Sequence, residues 1–76
     1  MDKDLLRRIA VDPEVLCGKP MIRGTRISVE LVLERLAQGF SFQDIINQYD
    51  LDEEDIKAAL FYASKTIAGE EVYEAL

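Results

Sequence analysis

The stretch from Cys17 to Ile27 gathers three cations, Lys19, Arg23 and Arg26, around Gly18, Pro20 and Gly24, with no acidic residue among them. Thr25 adds a hydroxyl donor, and Arg7 and Arg8 extend the basic character upstream. Guanidinium groups make bidentate bonds to phosphates and to carboxylates alike. The pattern therefore predicts an anion-seeking surface, directed at nucleic-acid phosphate or at a carboxylate-rich protein site, with Lys19, Arg23, Thr25, Arg26, Arg7 and Arg8 as its residues. The opposing reading is that Arg23 and Arg26 bridge to the chain's own acidic helices.

Other chemistries find less to work with. Gly18-Lys19 lacks the upstream glycine and the following hydroxyl of a phosphate-binding loop, since Pro13 and Pro20 stand at those places. Cys17 is the one cysteine and there is no histidine, which leaves neither a base for a nucleophile nor the usual ligands for zinc. No cofactor or metal is expected, and Cys17 reads as a small packing residue. The acids Asp52, Glu53, Glu54 and Asp55 have no apolar surroundings that would lift a pKa for acid–base work. The sequence thus predicts a non-enzymatic binding module, with Asp52, Glu53 and Glu54 as a surface for a protein partner.

Charge is divided along the chain. Residues 1–27 hold six basic residues against four acids, a balance of +2, while residues 28–76 hold three against eleven, a balance of −8. Such asymmetry suggests self-association, basic arm on acidic body, or two faces for two partners. At 49% apolar and 32% charged residues the chain has the balance of a folded protein. Its 76 residues leave room for one domain with a thin core, so a partner subunit is expected to help. No apolar run is long enough to span a bilayer, and the start Met1-Asp2-Lys3-Asp4 is unlike a signal peptide, so the expected location is the cytoplasm without membrane contact.

The elements that must position these residues fall into two textures. From Ser28 onward the sequence predicts three helices in a bundle over 28–68. Ser28 caps a stripe of Val29, Val32, Leu33 and Leu36 that Gly39 ends, and Ser41 with Asp44 forms a capping box ahead of Phe42, Ile45, Ile46 and Tyr49. Asp52 with Asp55 repeats the device ahead of Ile56, Ala59, Leu60, Ala63 and Ile67, with Gly69 as the stop. The connection Asp50-Leu51 is short enough to force a steep crossing, the helix-turn-helix shape. Leu33, Leu36, Ile45, Ile46, Ile56 and Leu60 are the expected core.

Ahead of the bundle, residues 1–27 read as a β ribbon and basic loop. Arg8-Ile9-Ala10-Val11 alternates like a short strand that Asp12-Pro13 ends, and Pro20 to Ile27 reads as a tight hairpin or irregular loop around Gly24. So short a ribbon must lie on the helices or pair with its copy, and a homodimer with the N-terminal segments at its interface is expected. Residues 69–76 form a tail.

Several of these residues together carry a family resemblance. Asp12-Pro13-Glu14-Val15, then Gly18-Lys19-Pro20 and Ile22-Arg23-Gly24-Thr25-Arg26-Ile27, followed by helices ending in Ile56, Ala59, Leu60 and Tyr62-Ala63, resemble the domain of unknown function 433 family. The resemblance covers about Ile9 to Ala63. It implies a mainly α, homeodomain-like three-helix fold preceded by a β hairpin, in small prokaryotic proteins. It also implies a role as a type II antitoxin paired with a nuclease-like toxin, and binding to the DNA of its own operon. The alternative is a stand-alone protein-interaction module whose helix-turn-helix does not read DNA. The acids at the start of the third predicted helix favour protein as its partner, because phosphates would repel them where a recognition helix meets the groove. DNA contact, as an additional activity, would fall to the basic loop, Arg7 and Arg8.

Overall fold

The computed structural model describes the backbone of residues 2–69 and the side chains from residue 4 onward. The expected tail beyond Gly69 lies outside the described residues. The fold is mainly helical, with a two-stranded antiparallel hairpin ahead of the three expected helices. Element order is α1 (Asp2–Leu6), β1 (Ile9–Ala10), a short 3-10 turn at Leu16–Gly18, β2 (Met21–Ile22), α2 (Val29–Ala37), α3 (Phe42–Tyr49) and α4 (Glu53–Ile67).

Each of the three main helices starts where its cap stands. Ser28 accepts from the N–H of Leu31, and the capping boxes Ser41/Asp44 and Asp52/Asp55 are both formed reciprocally. The end of α2 is a Schellman turn: Gly39 at φ +98° donates to Leu36, and Phe40 donates to the Arg35 carbonyl. Asp50, not a glycine, takes the left-handed conformation that ends α3, and the next residue, Leu51, plugs the corner in the core.

The hairpin is built inward. Ile9 pairs with Ile22 and Ala10 with Met21, and both isoleucines are fully buried against α2 and α4. Of the two fates expected for this ribbon, lying on its own helices is the one adopted. The core is completed by Val29 and Val32 of α2, Ile45 of α3, and Ile56, Ala58 and Ala59 of α4, with Leu33, Leu36 and Ile46 half-buried around it.

Three expectations need correction. The segment before the strand is a helix, α1, which packs on α4 and contributes the buried Leu6. Its presence turns the buried face of α4 toward Ala58 and Ala59, so Leu60 is 39% exposed and Ile67 86% exposed instead of lying inside. Cys17 is exposed, not packed, because Leu16 and Cys17 both take positive φ in the connection between the strands and turn the thiol outward.

Candidate functional site

Much of the basic region is occupied by the chain's own architecture. Backbone N–H of Thr25 donates to the Ile22 carbonyl at 3.1 Å, with Gly24 at φ +81° in the third position, as a type II turn demands. The Thr25 hydroxyl donates to that same carbonyl at 2.7 Å and accepts from the N–H of Ile27 at 3.0 Å, so it closes the turn rather than facing a ligand. Arg23 folds back over β1. Its Nε donates to the Arg7 carbonyl at 2.6 Å and its Nη2 to the Ile9 carbonyl at 3.0 Å, which ties the turn to the strand.

The remaining cations divide in the same way. Arg8 Nη1 reaches Asp52 and Asp55 at 3.0 Å each, joining the hairpin to the first turn of α4. Lys19 Nζ meets Glu30 of α2 at 3.0 Å. Arg7 has only a long contact of 3.5 Å to Asp4, with both side chains largely exposed. Arg26 is exposed and makes no hydrogen bond or ion pair among the described residues. Lys19, Arg23, Thr25 and Arg8 are thus each engaged by the chain's own groups, though Lys19 and Arg23 remain exposed, while Arg26 has no partner among the described residues and Arg7 only a long one.

The acidic first turn of α4 is similarly mixed. Asp52 is the N-cap, and the backbone N–H of Asp55, seconded by the Arg8 guanidinium, holds its carboxyl below the usual carboxylate range. Asp55 and Asp52 in turn hold Arg8 more firmly protonated. Glu53 and Glu54 point outward and share Lys57, at 3.0 and 3.6 Å, on the same helix. Of the three acids expected to meet a partner, Asp52 is thus a structural cap, while Glu53 and Glu54 lie exposed.

A further surface was not foreseen from the sequence. Between α2 and the second half of α4 runs an apolar groove of about 380 Å³, lined by Val29, Leu33, Tyr62 and Ala63, with Ile67 at its edge and with Pro20, Thr66, Lys19, Glu30 and Glu34 also bordering it, one cation against two acids. Its signal was present in the spacing. Apolar residues at 56, 59, 60, 63 and 67, with Ala58 and Tyr62 between them, wrap further around α4 than one buried face needs. Of the surplus, Ala63 and Ile67 line the groove, while Leu60 is exposed outside its lining.

No helix among the described residues is long and apolar enough to cross a membrane. No curated protein matches the chain. A solved structure that is similar is the crystal structure of a DUF433 member protein from Anabaena variabilis ATCC 29413, with a TM-score of 0.77 and 28% identity over 97% of this chain and 74% of that one. The family model described as protein of unknown function (DUF433) matches residues 9–63, from the first strand of the hairpin through most of α4. With the hairpin, the glycine-bearing turn and the three capped helices all inside that span, the chain belongs to the DUF433 family.

Proposed function

We propose that the chain is an antitoxin-like, non-enzymatic binding protein of a prokaryotic type II pair, working in the cytoplasm, and that its first partner is a protein, a nuclease-like toxin. The observation that carries the protein-first reading is the fate of the cations. Arg8, Lys19 and Arg23 are engaged within the chain, so DNA binding through the basic loop would have to compete with contacts that set the place of the hairpin. Apolar surface on α4, by contrast, stands open at Leu60 and Ile67, and Glu53 and Glu54 add exposed negative charge on the same helix. The homodimer expected from the charge asymmetry is not needed for this reading, because the basic and acidic parts meet within one chain.

A second activity, contact with operator DNA, is favoured by Arg26, exposed and unpaired among the described residues, with Arg7 also largely exposed. Two such contacts supply little of the counterion release on which DNA affinity rests. Purification of the native protein from its own host, with identification of what accompanies it, tests the first reading. A nuclease-like protein should copurify and be inhibited. Gel shifts with the DNA upstream of the gene should show no binding by the chain alone and binding with the partner present, weakened by Arg26→Ala and not by Lys57→Ala. Tight DNA binding by the chain alone would reverse the order of the two activities.

A further inference from the structure

Resting on the protein-binding reading above, we infer that the groove between α2 and α4 receives a basic amphipathic helix of the partner protein. The floor is apolar and open, and Ile67, at 86% exposure, stands at its edge. Leu60, Ala63 and Ile67 follow one another at i, i+3 and i+7 along α4 and so share one side of that helix. A trough between two helices with an apolar floor is the shape that accepts the apolar face of a third helix, read out by anchors at i, i+3, i+4 and i+7.

The rim decides the charge of that helix. Glu30 and Glu34 lie on successive turns of α2 along one wall. Glu30 is already paired with Lys19 at 3.0 Å, whereas the side chain of Glu34, whose charge reaches Lys19 only at longer range, has no hydrogen bond or close ion pair among the described residues. An incoming helix with lysine or arginine beside its apolar stripe gains a partner at Glu34, and one with acids there meets repulsion. The same surplus of acid over Lys19 argues against a second copy of this chain as the occupant, because a two-fold interface would bring the Glu34 of both copies to one patch.

The test uses the full chain as bait for a displayed library of alanine-rich helices of about 16 residues. Leucine or phenylalanine is fixed at i, i+3, i+4 and i+7, and the flanking positions are randomised. Selected helices should be enriched in lysine and arginine at the flanks. Their binding should fall about tenfold with Ile67→Glu and about three- to tenfold with Glu34→Lys. Both positions are exposed, so both variants should melt like the parent, which separates loss of docking from loss of fold. Selection without a basic bias, or binding indifferent to Ile67→Glu, overturns the inference. So does a concentration-dependent dimer that Ile67→Glu dissociates, which would make a second copy the occupant. Binding that appears only after deletion of residues 70–76 also overturns it, by assigning the groove to the chain's own C-terminal segment. A copurified protein that still binds the Ile67→Glu variant would remove the groove and leave the protein-binding reading standing. Basic helices selected by a chain that captures no protein in its host would do the reverse.

Discussion

Arg23 and Arg26 sit three positions apart in one loop and meet opposite fates, which makes them separable by mutation. Arg23 spends its guanidinium on the carbonyls of Arg7 and Ile9, and charge-assisted bonds of this kind contribute about 1–2 kcal/mol to folding where they are partly exposed. Arg23→Ala should therefore lower the thermal midpoint by several degrees, whereas Arg26→Ala should change stability by less than about 0.5 kcal/mol. Equal midpoints for the two variants would mean that the tie from turn to strand carries no load. Asp52 offers a second residue-level test, in acid. Its carboxyl, like that of Asp44 in the other capping box, is held below the ordinary 3.8 in the folded chain. A depressed folded value gives stabilisation that is present above the unfolded pKa and is lost as pH falls through the folded one. Stability should thus be flat above about pH 5 and decline below about pH 4. Asp52→Asn keeps the cap acceptor but not the charge, so unfolding titrations at falling pH should show its deficit against the parent shrinking.

At the scale of elements, α4 is where pattern and packing part. Ile56 is fully buried at its start, whereas Leu60 is 39% exposed one turn later. Ile56→Ala should cost about 2–4 kcal/mol and Leu60→Ala less than about 1 kcal/mol, by urea unfolding of both variants. A Leu60 loss as large as that at Ile56 would mean that this face is covered in solution. The three capped helices were legible because serine and aspartate caps, acids in first turns and the Gly39 stop are local chemistry acting on neighbouring backbone groups. Burial of Ile56 and Ala59 on α4 was legible too, but burial of Ala58 and exposure of Leu60 and Ile67 were not: α4 also packs against α1, five residues too short to announce themselves by periodicity. The engagement of Arg23 was not legible for a related reason: residue type gives the donor, and only the folded turn shows that Arg23 is aimed at backbone carbonyls. Asp50 was legible as a turn, and its φ of +57° makes a further prediction. Asp50→Gly should leave stability unchanged or raise it by up to about 1 kcal/mol, while Asp50→Val, β-branched in a left-handed position, should cost more than about 1 kcal/mol.

For the whole molecule, the opposite charges of the two parts of the sequence act as an internal clasp. Arg8 reaches Asp52 and Asp55 across more than forty residues, and Lys19 reaches Glu30. These exposed pairs are worth little individually and weaken with salt, so they set the place of the hairpin more than they hold it. What holds it is burial: Leu6 and Ile9 lie in the interior, and Ile9 covers Ile22 across the strand pair. Full burial of a large aliphatic side chain contributes about 1.5–3 kcal/mol, and a domain of this size has on the order of 4–11 kcal/mol in total. Deleting residues 1–11 removes both side chains and leaves Ile22 facing water. The truncated chain should then lose its cooperative thermal transition, with helical circular dichroism reduced and the melt broadened, at low and at high salt alike. If the N-terminal segment were instead an arm for a second subunit, the truncated chain would melt as sharply as the parent and differ from it only in sedimentation. A sharp, unshifted transition would therefore place the hairpin outside the cooperative unit and return residues 1–11 to the role of a binding arm.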